Sequence, residues 1–453
     1  MASIRRRTFL GAAAIATARF PILGANDRIN VGQVGIGGRG TDHLNYYASL
    51  DSDCRIVAIC DVNQAARERG VAQVNKLKGI TPAEFDDMRR MFESKEVEAV
   101  SITTPNHWHA LAAIWACQAG KDVYVEKPAC HNLFEGRQME AAARKYNRMV
   151  QVGSQSRSIA HKRKAMELLQ QGAIGKVYHA RGLCYRRRFS IGHTPDEPVP
   201  PGIDWGRFLG PAQMKPYSKN KFAYNWHWFW DTGNGDIGNQ GVHEMDICLW
   251  GLGLSGWPVS VSSEGGKFIW EDDQETPNTL QTTFKFNGAD MSFDVRNLPT
   301  ITEGSGPVHP NYTGNIFLGD TGFMVVEPNG FQLYKSDAGN SISGDAARGA
   351  GAGQAEKYEK TMDEKSVEQA QWSTNPHMQN FFEAIRARDY KLLHADVAIG
   401  ARAASFCHLA NISYRVGRTV KIDPATGRFI GDDRANTLYS RNYRAPYVVP
   451  AQV

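Results

Sequence analysis

The sequence predicts an α/β protein of two domains, a doubly wound parallel sheet followed by a domain built on an antiparallel sheet. Three observations lead there. Apolar strands alternate with helical patterns from residue 29 to 152. A G-x-G-x-x-G cluster at Gly35, Gly37 and Gly40 sits at the end of the first strand. Beyond residue 176, short strands follow one another around glycine turns with few helices between them. Alternating strands and helices imply parallel pairing with right-handed crossovers.

The elements follow in order. The run from Ile29 to Val34 enters the glycine cluster, and a helical pattern leaves it. Gly35 allows a tight turn, Gly37 and Gly38 leave the backbone open to a pyrophosphate, and Gly40 lets helix and strand pack closely. Arg39 stands among them. The helix start offers free N–H groups and partial positive charge. Arg55 to Cys60 is a second strand ending at Asp61, followed by Val62. That acid lies about 20 residues past the glycines, where it would accept from both ribose hydroxyls of an adenosine. A carboxylate there repels a 2′-phosphate, so NAD is favoured over NADP. These features together define a Rossmann dinucleotide-binding domain.

Asn63 to Lys76 reads as a helix, and Pro82 to Phe92 as another, from the spacing of Phe85, Met88, Met91 and Phe92. Val97 to Thr103 is the next strand and ends in Thr104-Pro105-Asn106-His107-Trp108-His109. Lys121 to Val125 ends in Glu126-Lys127-Pro128. A helix from Leu133 to Tyr146 and a strand from Met149 to Val152 complete the first domain, bounded at 28–152. Ligands of such sheets lie beyond the carboxyl ends of the strands. Gly35, Asp61, Pro105 and Lys127 all fall there.

In the second domain, placed at 153–425, Lys162 to Gln171 is helical and Val177 to Tyr185 alternates as a strand. Pro195 to Pro216 reads as a long loop. Strands are expected at 259–263, 278–286, 291–295, 315–318, 322–327 and 331–334, with hairpin turns at Gly288 and Gly330. Gly339 to Gly353 reads as a surface loop, and helices at 376–388 and 396–416 close the domain. Residues 426–453 read as an extended tail lying on its own domain or on a neighbouring subunit.

Composition narrows the function. A chain of 453 residues with net charge +5 and 22% charged residues lacks the basic face of a nucleic-acid binder. Seven cysteines without a C-x-x-C pair indicate neither a disulfide framework nor a zinc site. Residues 1–27 read as an export signal: Arg5-Arg6-Arg7 precede Phe9-Leu10 and a short apolar run. Arg6-Arg7-x-Phe-Leu is similar to a twin-arginine signal, which implies a periplasmic protein. The run is too short for an ordinary transmembrane helix, and no such span is expected in the mature chain.

Glu126-Lys127-Pro128 combined with Gly241-x-His243-x-x-Asp246, after a dinucleotide fold, resembles the Gfo/Idh/MocA family (glucose–fructose oxidoreductase, inositol dehydrogenase, rhizopine catabolism) over about residues 29 to 425. The resemblance implies a C-terminal α/β domain with an open, mostly antiparallel sheet through which subunits associate. It implies that Lys127 binds the reacting hydroxyl, that His243 is the acid/base, and that Thr104, Pro105, Asn106 and Glu126 line the nicotinamide half. His107 and His109 read as capping or structural residues, His109 at the cofactor edge. Where the family usually has an Asp four residues before the His, this chain has Asn239. Asp236 or Asp246 is then expected to support the imidazole.

The chemistry asks for these groups in any case. Oxidising a carbinol needs a base, suited to a neutral His, and a cation near the developing alkoxide, suited to a Lys. Trp226 and His227, in an aromatic run, together with Asp236, Arg157 and Tyr185, are candidate carbohydrate contacts. The expectation is an exported NAD-dependent oxidoreductase acting on a sugar or glycoside hydroxyl. A redox-neutral NAD-dependent glycosidase or epimerase is the first alternative, and a non-catalytic sugar or nucleotide sensor the second.

Overall fold

A computed structural model describes residues 28–300, 311–336, 358–365 and 374–453. The segments expected to be an export signal, 1–27, and a surface loop, 339–353, lie outside the described residues.

The first sheet contains β1 (Ile29–Val34), β2 (Cys54–Cys60), β3 (Ala83–Phe85), β4 (Ala99–Ile102), β5 (Asp122–Val125) and β6 (Val150–Val152). All pairs are parallel and the order is β3-β2-β1-β4-β5-β6, a Rossmann sheet. Helices α1 (Gly38–Ser49), α2 (Gln64–Lys78), α3 (Met88–Glu93), α4 (Asn106–Gln118) and α5 (Leu133–Lys145) connect the strands. β4 and β5 are buried at every position, as their unbroken apolar runs require of a sheet covered on both faces. Leu44 of α1 is fully buried in this core, where truncation to alanine costs about 2–5 kcal/mol.

The helix expected from Pro82 to Phe92 is two elements. Ala83–Phe85 is an edge strand paired to Ala58–Cys60, and Asp87 then caps α3 by accepting from the Arg89 amide. Pairing with β2 overrides the helical spacing, which belongs only to the residues after the Asp86-Asp87 break.

Past α6 (Ala160–Gln170), β7 (Val177–Arg186) opens a nine-stranded sheet of order β14-β13-β12-β11-β7-β10-β9-β8-β15. Its strands are β8 (Ser260–Gly266), β9 (Thr279–Phe286), β10 (Ala289–Arg296), β11 (Asn311–Gly319), β12 (Gly322–Glu327), β13 (Gly330–Ser336), β14 (Tyr358–Lys365) and β15 (Val420–Lys421). Only β7–β10 is parallel, so the sheet is mixed and mostly antiparallel. β14, YEKTMDEK, carries little apolar alternation and so no strand signal of its own; its pairing with β13 makes it a strand. α7 (Trp205–Leu209) lies in the expected 195–216 loop, capped by Asp204. Helices α8 (Gly235–Asn239), α9 (Gly241–Leu252), α10 (Asn375–Ala387) and α11 (Val397–Val416) complete the domain. No described helix is long and apolar enough to cross a membrane.

The tail forms α12 (Asp433–Thr437) and then wraps back onto the chain's own first domain. Tyr443 donates to Glu135 of α5, Gln138 donates to the Ala451 carbonyl, and Tyr447 packs against Trp108 and Trp115 of α4.

Candidate active site

The carboxyl ends of β1, β2, β4 and β5 open onto one cavity of about 630 Å³. Gly35 has φ +85°, which L side chains rarely adopt. A Cβ on Gly40 would fall 2.0 Å from the Gly35 carbonyl, so only glycine lets α1 start where it does. At Gly37 and Gly38 a Cβ would meet nothing within 4 Å; both line the cavity. Gly37 supplies no side chain to cap α1, leaving its first N–H groups for a ligand.

Asp61, at the end of β2, accepts from the amides of Ile36 at 2.7 Å and Asn63 at 2.8 Å. Burial pushes its carboxyl above the usual range, against those two bonds. Two donors leave acceptor capacity on the carboxylate, and Asp61 lines the cavity with Val62. A turn without side chains, uncapped helix amides and a carboxylate at the neighbouring strand end fit a dinucleotide.

Thr104, Pro105 and Asn106 line the cavity from the start of α4. Asn106 reaches across to Asn234 at 3.2 Å. His109 sits between the carbonyls of Thr104, at 2.8 Å, and Pro128, at 2.7 Å. It ties the end of β4 to the turn that carries Lys127, and it lines the cavity as well.

Arg39 and Glu126 line the cavity but are engaged with one another at 2.8 Å. Arg39 also donates to Thr374, and His43 approaches the same Glu126 oxygen at 2.9 Å. Burial raises the Glu126 carboxyl, but Arg39 and His43 outweigh it and hold the carboxyl well below its usual range. Nothing in the sequence pointed to His43, whose partner lies 83 residues away.

Lys127 extends from the end of β5 and donates from Nζ to the Asn239 carbonyl at 2.8 Å, with Asn239 Oδ1 at 3.4 Å. Burial lowers its pKa, partly opposed by Glu126. Asn239 Nδ2 donates to the Tyr224 hydroxyl at 3.0 Å and to Asp236 at 3.2 Å. Tyr224, Trp226 and His227 all line the cavity, with the rings of Trp226 and His227 stacked 3.6 Å apart. Tyr224 was not singled out in the sequence, and its register in a loop gave no signal.

His243 follows Asn239 by one helical turn, in α9. Its Nδ1 is buried and has no hydrogen-bond partner among the described residues. Burial, and then the charge of Lys127, push its pKa well below the usual value, so the imidazole is neutral at physiological pH. His243 is not among the residues lining the cavity.

Four assignments are corrected. Asp246 does not orient His243; it forms a two-pronged ion pair with Arg157 at 2.7 and 2.8 Å. Arg157 is spent there and over the Trp250 ring, away from the cavity. Asp236 is buried beneath Asn239, held by Arg188 at 2.7 and 3.1 Å and by Asn297 at 2.6 Å. Tyr185 is fully buried in β7. Buried carboxylates take the nearest guanidinium because an unpaired buried charge is costly, and the chain distances involved hid those pairings in the sequence.

Comparison with known proteins gives the same architecture. Residues 29–154 match the oxidoreductase family's NAD-binding Rossmann fold, and residues 176–273 and 357–449 its C-terminal alpha/beta domain. The chain is 31% identical over 176 residues to inositol 2-dehydrogenase of Salmonella typhimurium, covering 39% of this chain and 50% of that protein. It is 28% identical over 155 residues to alpha-N-acetylgalactosaminidase of Shewanella oneidensis, covering 33% of this chain and 34% of that one. The match thus spans half or less of either relative's length. The WlbA dehydrogenase from Bordetella pertussis, solved in complex with NADH and UDP-GlcNAcA, superposes with TM-score 0.60 at 19% identity, over 87% of this chain and 99% of that one.

Proposed function

The chain belongs to the Gfo/Idh/MocA oxidoreductase family, with a NAD-binding Rossmann domain ahead of the family's C-terminal α/β domain, and from that premise we propose that it oxidises a hydroxyl of a sugar or glycoside. One observation carries the reading. A single cavity joins the glycine turn and Asp61 at one end to Lys127, Asn239, Tyr224, Trp226 and His227 at the other.

Gly37, Gly38 and the α1 amides would hold the pyrophosphate, Asp61 the adenosine ribose, and Thr104, Pro105 and Asn106 the nicotinamide half. Bound there, NAD supplies a hydride acceptor. Lys127 Nζ stabilises negative charge on the substrate oxygen as it loses its proton, in a site where burial strengthens that interaction. His243, near enough to Lys127 to feel its charge but outside the cavity lining, is the candidate acceptor of the proton, which would reach it from Lys127. The aromatic wall of Trp226, His227 and Tyr224 offers a stacking face and a hydroxyl to a sugar ring.

A redox-neutral cycle is the second reading, favoured by the likeness to a glycosidase. In it the same groups would take the proton and later return it, while bound NAD would accept the hydride and, after the aglycone has left by elimination and water has added in its place, give it back. Purified full-length protein is supplied with NAD and a panel of free sugars and aryl glycosides. NADH that forms and stays reduced, on the protein or in solution, marks net oxidation, and glycoside cleavage without it marks the neutral cycle. If neither occurs, and Lys127→Ala binds sugar as the parent chain does, a sensor replaces both.

Two proposals extend this reading. The twin-arginine pattern at Arg6-Arg7 supports export to the periplasm, checked by fusing residues 1–27 to a reporter and substituting both arginines with lysine. Self-association through the second sheet is supported by Ile316, Leu318, Phe323, Val325 and Tyr334, whose alternation places them, part-exposed, on the face opposite α6, α9 and α11. Light scattering of the parent chain and Val325→Glu tests it.

A further inference from the structure

Two segments from outside the first sheet complete the walls of the cofactor cavity. One is the strap at 199–210. The Gln64 amide donates to the Gly202 carbonyl at 2.8 Å, and the Asp204 amide donates to the Val62 carbonyl at 3.0 Å. Asn63 and Ile203 form an antiparallel bridge between those bonds. Farther along, the Arg207 guanidinium pairs with Asp86 at 2.8 Å and reaches Asp87 at 4.0 Å. The Phe208 carbonyl accepts from the Trp108 indole at 2.9 Å and faces His107 Nε2 at 3.0 Å. The strap therefore runs from the turn after Asp61 to the first turn of α4. These elements follow β2 and β4, the strands that flank β1 and its glycine turn.

The strap packs on itself. Trp205 and Phe208 stack at 5.0 Å and form a small core with Leu209, Ala212 and Tyr217. The second segment, tail residues 441–447, pins it from outside. Arg444 donates to the carbonyls of Ala212 at 3.0 Å and Gly206 at 2.5 Å, and Gln213 donates to the Asn442 carbonyl at 2.8 Å. Tyr447 then packs edge-on to Trp108 with ring centres 5.3 Å apart. Arg207, Phe208 and Tyr447 line the cavity together with Gly37 and Asp61.

We infer that the strap at 199–210, locked by the tail at 441–447, retains NAD as a resident group that leaves only when the strap lifts. This rests on the reading of the first domain as a NAD site and adds how long the dinucleotide stays. Lifting the strap breaks contacts to the turn after β2, to Asp86, to α4 and to the tail together, so release is a cooperative opening rather than simple dissociation. Arg207 and Tyr447 are positioning residues for retention.

The test reads exchange, not turnover. Full-length protein loaded with NAD is desalted and mixed with excess isotope-labelled NAD, and protein-bound nucleotide is followed by mass spectrometry. The wild type is expected to exchange over many minutes or longer. Arg207→Ala/Tyr447→Ala is expected to exchange at least about tenfold faster, the change residing in the off-rate. Arg207→Lys, which keeps a cation for Asp86, retains slow exchange. Complete exchange of the wild type within the mixing time overturns the inference, whether or not the double variant folds. Equal rates for wild type and a folded double variant overturn it too. A chain that takes up no NAD at all overturns the reading of the first domain instead.

Discussion

Lys127 Nζ lies 2.8 Å from the backbone carbonyl of Asn239, so the cation of the proposed site is held by the second domain while its backbone belongs to the first. The contact joins the end of β5 to the end of α8. Replacing Lys127 with methionine keeps much of the stem and removes the charge. Carbinol oxidation is expected to fall by roughly 10² or more, the range for losing one preorganised electrostatic group. NAD binding, followed by quenching of tryptophan fluorescence, is expected to persist.

The same ammonium sets a pH limit. Burial lowers the Lys127 pKa below its ordinary 10.5. Activity that needs the charged form is therefore lost, as pH rises, sooner than for a solvated lysine. A kcat/KM profile should show an alkaline limb below that value. Lys127→Arg, whose guanidinium does not deprotonate, should lack the limb whatever activity it keeps.

The glycine turn separates fold from ligand. Gly40→Ala drives a Cβ into the Gly35 carbonyl and is expected to destabilise the chain by about 1–3 kcal/mol, as overpacking does. Gly37→Ala has open space around its Cβ, so thermal unfolding of the nucleotide-free chain should barely change. If the pyrophosphate lies against this turn, NAD affinity of Gly37→Ala should still drop about tenfold or more, since close approach is what the glycine permits. Unchanged affinity would place the phosphates elsewhere.

How much of this was legible in the sequence follows from range. The glycine turn, Asp61, Pro105 and Lys127 were readable because each strand–turn–helix unit is local and its period is strong. β3 was misread because three residues carry too little pattern to outvote the helix beside them. The roles given to Asp246, Arg157 and Asp236 failed on pairings that cross 48 to 89 residues. Tyr447 lies more than 330 residues from Trp108, and only the folded tail brings the two rings together.

Glu135 makes stability itself depend on pH. It is buried in α5, accepts from the His131 amide, Asn132 and Tyr443, and burial still raises its pKa from 4.5 to about 7. Between those values the native state binds more protons than the unfolded chain, so stability falls as pH rises through that window and levels off above it. The loss is on the order of 1–3 kcal/mol. Buried histidines with lowered pKa act in the opposite sense over part of this range, so the Glu135 contribution is read as a difference: the unfolding midpoint of the parent chain relative to Glu135→Gln, isosteric and uncharged, should fall as pH rises from 4.5 to about 7. A difference that does not change with pH would show that Glu135 contributes nothing to it.

Asn239→Asp restores the carboxylate usual at this position in the family and tests what the amide does here. The new carboxylate would face Asp236, which now accepts from Asn239 Nδ2 at 3.2 Å, and like charges so close are unfavourable in a buried site. Arg188 already neutralises Asp236 through two bonds and cannot fully compensate a second acid. The variant should therefore unfold at lower temperature, with the deficit shrinking as pH falls and one acid of the pair takes up a proton. It should also hold the Lys127 ammonium more strongly, moving the alkaline limb of kcat/KM upward. A stability loss without that upward movement would mean that Asn239 supports Asp236 and Tyr224 but leaves the charge on Lys127 to the carbonyl alone.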